Sequence, residues 1–579
     1  MSTLNNLRKE AKHWLREVRR KNPGPQKRLR LAYPSAPAEP GLRDIQHALA
    51  RERGYESWIA LKAAVTRSKP GESSEPAPST GDAATRVATF LEFACWDHRV
   101  HGRGEYARAE AAAMRLVTKH PEIARENLYT AVVCGDLAEV ERILSARPEL
   151  ANAKGGSRNW EPLLYLCYAR LPLSAVDDNS LAIAQALLDR GANSDAYYMA
   201  GDALYGTLVG VAGEGEQDAP PHRRKEALYQ LLLERGAELY DVQVLYNTHF
   251  GGKLLWWLEL TYTHAVKTGR AADWRNPDWP MLDMGGYGSG ARYCLATAIK
   301  KNDVALAEWL LAHGANPNAA PASDRRFSKR SLFEDAMRDG CTEIAELLLR
   351  YGAEPRPLVR DDEDAFIAAS MRLDRPTAES LLKKHPDYLR SPKAIFSAAQ
   401  RDRADVVAFL LDLGVPIEIE DEQKQRALHV AAGNHALNVA TLLIDRGAEI
   451  DPRETQWGAT PIGYASYGND QPMIDLLSRV SRFVWMLAYR GKIERLREVL
   501  SAEPQRAREV TGNGITPLWW LPADDARAIE VAELLLAHGA NPSIKSKDGT
   551  TAADSARKQG LDRAADLLTA AARRQRADG

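Results

Sequence analysis

One phrase recurs down this chain: paired leucines, a short polar step, Gly-Ala, then a polar turn. It stands as LLDRGANSD from Leu187, LLLERGAEL from Leu231, LLAHGANPN from Leu310, LLLRYGAEP from Leu347, LLIDRGAEI from Leu442 and LLLAHGANP from Leu534, with a degenerate copy, LLDLGVPIE, from Leu410. Each reads as an apolar helix end followed by a glycine, where the chain leaves the helix through the left-handed region. A second form ends on proline: LVTKHPEIA from Leu116, ILSARPELA from Ile143, LLKKHPDYL from Leu381 and VLSAEPQRA from Val499. Proline stops a helix by removing a donor and clashing with the preceding turn. The two kinds of marker together recur at about 33 residues, with insertions. Units this short cannot bury their own apolar faces, so they must stack.

Upstream of the turns the units are helical. Ala427 to Gly433 and Ala436 to Leu443 read as a short helix, a turn and a longer helix. Thr460-Pro461 and Thr516-Pro517 each supply a capping threonine and a proline at the first helical position. On these residues the chain resembles the ankyrin-repeat family, matching its L-L-x-x-G-A turn and, with substitutions, its T-P-L-H-x-A helix start over roughly 121–570. The resemblance implies an all-α solenoid of about 12–14 helix-turn-helix units that binds other proteins along its concave surface. It implies no cofactor and no reaction.

With a net charge of -1, the chain is no polyanion binder along its whole length. The charge is nonetheless uneven: residues 1–80 hold 16 Lys/Arg against 8 Asp/Glu, and ten of those basic residues lie between Arg8 and Arg30. We read 1–66 as a basic N-terminal helical hairpin, 67–84 as a Pro/Ser/Gly-rich linker and 85–120 as a helical capping element. The array follows over 121–570, with irregular insertions at 209–227 and 270–290, and 571–579 is a tail. The basic residues of 8–30 suit nucleic acid or an anionic surface, or simply a wet helix face. Five scattered cysteines, none in a C-x-x-C pair, fit a reducing cytoplasm. No apolar stretch approaches the ~20 residues that span a bilayer, and the charged start lacks a signal-peptide core.

Three segments break the repeat grammar. The first holds His98 and His101, three apart, which on a helix would share a face and supply half of a metal site with Asp97 or Glu92 near enough to complete it. The second runs from Tyr246 and Asn247 through His249. The third spans 273–290, with Trp274, Trp279, Asp283 and Tyr287 ahead of a Gly-x-Gly-x-Gly run that lacks the strand and lysine of a phosphate loop. Trp274 and Trp279 read as anchors of an ordered insertion. Together with Tyr246 and Tyr287 they are also expected as exposed aromatic contacts for a protein partner. The chain therefore reads as a non-enzymatic adaptor; the alternative is a small-molecule binder or enzyme whose pocket gathers 95–102, 246–252 and 273–290.

Overall fold

In the computed structural model, the residues described are 83–100, 106–200, 203–284, 286–323, 327–355 and 362–577, with 42–52 and scattered positions before residue 41. The chain divides into two units: Met1–Thr85 with Tyr197–Tyr205, and Arg86–Ala196 with Gly206–Gly579.

In the smaller unit, helix α1 (Leu42–Glu52) buries Ile45, Ala48 and Leu49 against Trp14, Val18 and Leu29. Arg28 is held by Glu52 at 2.7 Å and lies 3.9 Å over the Trp14 ring. That cation is therefore committed internally, whereas most of 8–30 falls outside the described residues. The unit also contains a short antiparallel hairpin, β1 (Tyr197–Ala200) and β2 (Ala203–Gly206), whose Tyr198 and Tyr205 rings stack at 5.6 Å. No period in the sequence marks this hairpin, which interrupts the repeats.

The larger unit opens with α2 (Ala83–Ala94) and α3 (Tyr106–Lys119). Twelve helix pairs follow among the described residues, from Leu128–Cys134 with Leu137–Ala146 to Ala552–Lys558 with Asp562–Ala577, and a thirteenth unit pairs the 3-10 turn Pro517–Trp519 with helix Asp525–Ala537. The recurring glycines act as the sequence requires. Gly314 and Gly447 have φ of 88° and 82°, and a Cβ at either would meet no atom, so the dihedral rather than crowding demands glycine there. After each proline marker the chain makes a single 3-10 turn, as at Pro121–Arg125 and Pro504–Arg508. Thr460 caps its helix through Gly463 as expected. Thr516 does not: Pro517–Trp519 forms only a 3-10 turn, because Pro522 ends any continuation. Side chains from neighbouring pairs merge into continuous apolar clusters, one from Phe366 to Met486 and the next from Val484 to Leu568. The last helix runs through the expected tail as far as Ala577.

The segment expected as a simple cap does more than cover one end. The end of α2 pairs with helix α4 (Pro162–Tyr168), Trp96 donating its backbone N–H to the Tyr168 carbonyl at 2.8 Å. Helix α3 meets the opposite end of the array. Its Arg115 donates to the Ala523 carbonyl at 3.0 Å and the Gln559 carbonyl at 2.5 Å, Lys119 pairs with Asp562 at 3.2 Å, and Arg108 lies 4.6 Å over Tyr489. Residues 108, 115 and 119 share one helix face, so a single stripe of cations makes the contact.

Candidate functional site

Helix α5 (Val242–Gly251) carries the second irregular segment. Asp241 caps it by accepting the Gln243 and Val244 backbone N–H groups, and Gly252 ends it in the left-handed region. Asn247 is buried. Its Oδ1 accepts from Gln243, and its carbonyl accepts the Gly215 N–H at 3.1 Å. The polar lead-in therefore finds its partners in the 213–219 turn, part of the insertion at 209–227; the rest of that insertion forms helices Thr207–Ala212 and Lys225–Glu234. Tyr246 donates its hydroxyl to Glu216 at 2.5 Å. His249 places Nδ1 2.5 Å from the Tyr246 carbonyl and 2.7 Å from the Tyr293 hydroxyl. Burial, reinforced by Lys300 and Lys301, brings its pKa down to about 4, so it is a neutral ring at physiological pH.

Around these residues gathers a half-buried aromatic group. Tyr246 meets Phe250 at 5.2 Å and Tyr287 at 6.2 Å, and Tyr287 meets Tyr293 at 5.9 Å and Phe327 at 4.9 Å. Tyr293 belongs to α6 (Gly290–Lys301), capped by Ser289, and Phe327 to the loop after the next helix, Val304–Ala312. Three parts of the chain thus meet through edge-to-face and tilted ring contacts. Asp283 stands exposed on the loop before them.

The structure corrects one expectation. Trp279 is wholly buried and Trp274 is 4% exposed, so neither offers a face to a partner. They anchor the insertion: their rings meet at 4.9 Å, and Trp274 packs on Tyr262 at 5.3 Å. The glycine run completes that packing. A Cβ on Gly290 would fall 2.5 Å from Leu282 and 2.6 Å from the Trp279 carbonyl, so a close approach within the protein explains this glycine.

In the first segment, Asp97 is buried between Arg99 at 2.7 Å and Arg158. Burial opposes its charge, but the Arg99 hydrogen bonds and the Arg158 guanidinium hold the carboxyl below its ordinary range. His98 faces Gln217 at 3.3 Å and packs edge-on against Trp96 and Tyr168. His101 lies outside the described residues. Among the described residues no three His, Cys, Asp or Glu side chains gather as metal ligands.

The 214–219 turn therefore links what the sequence could only place side by side: Gln217 reaches His98, Glu216 reaches Tyr246, and Tyr246 reaches Tyr287. The sequence reading missed Glu214, Glu216, Gln217, Tyr293 and Phe327, which look unremarkable in one dimension. Glu214 is 3% exposed, with φ of 63°, and burial lifts its pKa to about 7 against the pull of Lys253 at 3.5 Å. A general acid or base must reach its substrate. Glu214 instead packs against Gly251, where a Cβ would meet its carboxylate at 2.7 Å. The five cysteines are free and buried, and burial pushes the Cys95 and Cys134 thiols up to about 12.

A family model described as ankyrin repeats (3 copies) matches residues 365–454 and 395–482. Among curated proteins, cyclin-dependent kinase 4 inhibitor B of Rattus norvegicus is 30% identical over 151 residues, covering 25% of this chain and 98% of the inhibitor. The chain belongs to the ankyrin-repeat family. A second ankyrin-repeat relative, the putative ankyrin repeat protein YahD of Escherichia coli K12, is 27% identical and covers 31% of this chain and 96% of its own. The match to putative ankyrin repeat protein FPV115 of fowlpox virus, 29% identical, covers 24% of each chain. Among solved structures, an ankyrin repeat domain from Acinetobacter baumannii AYE is 25% identical, with a TM-score of 0.25, covering 31% of this chain and 96% of that one. Ankyrin repeats are in general protein-interaction modules, and no described helix of this ankyrin-repeat protein is long and apolar enough to cross a membrane.

Proposed function

We propose that this ankyrin-repeat protein is a non-enzymatic cytoplasmic adaptor. It binds a protein partner through the array and through the tyrosine cluster where α5 meets the 270–290 insertion. The observation that carries the reading is the setting of Tyr246 and Tyr287: large amphipathic rings, half open to solvent, mounted on capped helices and a loop anchored by buried tryptophans. Such residues bring contact area with little side-chain entropy to lose. The insertion contributes half-buried Tyr287 and exposed Asp283. The rat relative supports the reading in kind, since its name states that it acts on another protein.

Deleting 270–290 is a poor test, because it removes core tryptophans. The informative variant is Tyr246→Ala with Tyr287→Ala, checked for native circular dichroism and used as bait in lysate beside the wild type. At least one co-purifying protein should drop tenfold or more with the double variant. An identical partner list from both baits overturns the assignment of this surface.

A further inference from the structure

The most exposed large apolar side chain among the described residues is neither in the first half nor in an insertion. It is Trp457, 67% exposed, at the tip of the loop before helix α7 (Pro461–Tyr467). A free tryptophan on a floppy loop would mean little, but this loop is locked. Glu454, buried beneath it, accepts the backbone N–H groups of Gln456 at 2.5 Å, Trp457 at 2.9 Å and Ala459 at 2.8 Å, while its own N–H donates to the Ala459 carbonyl. Gly458 completes the turn with φ of 66°. The preceding loop tip is tied in as well. Thr455 donates both its N–H, at 2.8 Å, and its hydroxyl, at 3.0 Å, to the Gln423 carbonyl, and Asp421 orders that tip by accepting the Gln423 and Gln425 N–H groups. The Trp457 ring lies 6.0 Å from Tyr464, whose hydroxyl accepts from Gln425.

Charge decides what would cover this ring. The loops 415–426 and 448–460 carry Glu418, Glu420, Asp421, Glu422, Glu449, Asp451 and Glu454 against Lys424, Arg426 and Arg453, seven acids to three bases and so net -4. Two of the bases are engaged within the fold: Arg426 bridges Glu418 at 2.6 Å and Glu449 at 2.5 Å, and Arg453 lies 4.8 Å over Phe483. Phosphate backbones and anionic lipid are repelled by such a field, whereas lysine and arginine are drawn to it and also pack on an indole face.

We propose that the paired tips 421–425 and 454–459 form a docking surface for a lysine- and arginine-rich segment of a partner protein, with Trp457 as its anchor. This rests on the adaptor reading but uses a different surface from the tyrosine cluster. Because both tips are held by main-chain hydrogen bonds, binding loses little loop entropy there. Mutation of Trp457 removes contact without opening the core.

The test is fluorescence anisotropy on the full chain with three labelled probes: a twelve-residue peptide of Lys, Arg and Leu; a matched peptide of Glu, Asp and Leu; and a peptide of this chain's own residues 8–30. The Lys/Arg peptide should bind at 50 mM salt and weaken at least tenfold at 300 mM; at 50 mM it should also weaken at least tenfold with Trp457→Ala and, separately, with Glu420→Lys plus Glu422→Lys, each variant first checked for native circular dichroism. The acidic peptide should not bind. Equal binding of both peptides, or an unchanged affinity in Trp457→Ala, overturns the proposal. Tighter, Trp457-dependent binding of the 8–30 peptide overturns it in favour of the chain's own basic segment, from the same or a second copy. Lysate capture that still depends on Tyr246 and Tyr287 would then leave the adaptor reading standing, whereas a wild-type bait that captures no specific partner at all would remove both.

Discussion

Glu214 shows how far a single residue departs from what its letter suggests. Its folded pKa of about 7 lies above the ordinary carboxyl value, so the folded state holds a proton that the unfolded chain releases near pH 4.5. Stability from this group is complete at low pH and is lost as pH rises through the window from about 4.5 to about 7. Glu214→Gln, which keeps the shape of the protonated acid, should therefore raise the thermal midpoint at pH 8 by the equivalent of roughly 2 kcal/mol and leave it unchanged near pH 4. Equal midpoints for the variant and wild type at pH 8 would show that Lys253 neutralises the carboxylate fully. In the same way Trp274 and Trp279, which the sequence offers both as anchors and as exposed contacts, serve only as anchors. Trp274 is covered by Tyr240, Tyr262 and Trp309, which the sequence scatters over some tens of positions, and Trp279 packs on Trp274.

At the scale of elements, the sequence was legible wherever a local interaction sets the conformation. The Gly-Ala turns, the proline stops and the threonine caps act within a few residues, and apart from Thr516 they appear where the pattern places them. Thr551, which the sequence reading does not single out, obeys the same local rule. It and Asp554 exchange backbone hydrogen bonds in a capping box at the start of α8 (Ala552–Lys558). Thr551→Ala should lower the local opening free energy of that helix, read from its amide exchange, by about 1 kcal/mol, with little change at distant repeats. The hairpin β1–β2 was not legible, because its strands are only four residues each and carry no alternation strong enough to compete with the helical period around them.

The larger unit poses a question at the scale of the whole molecule. Repeat arrays couple nearest neighbours, so their two ends are ordinarily independent. Here the α2–α3 segment touches both, and Arg115 of α3 reaches the far end with burial lowering its pKa against the pull of Asp525, Asp562 and Asp524. Arg115→Glu puts a like charge before those carboxylates. Amides of Tyr106–Lys119 and of Ala552–Lys558 should then exchange at least fivefold faster, while those of Leu437–Asp445 stay as they are. No acceleration at Ala552–Lys558 would mean that the two ends are energetically independent despite their contact.

By itself the sequence determined the kind of unit, its period and the all-helical stacking, since a glycine dihedral, a missing proline donor and a leucine pair too large to expose are local facts. Tertiary structure alone decided which departures from the period are core and which are surface. Burying Trp274, raising Glu214 and locking the loop that carries Trp457 each depend on atoms contributed by neighbouring units, and a linear pattern carries no record of those distances.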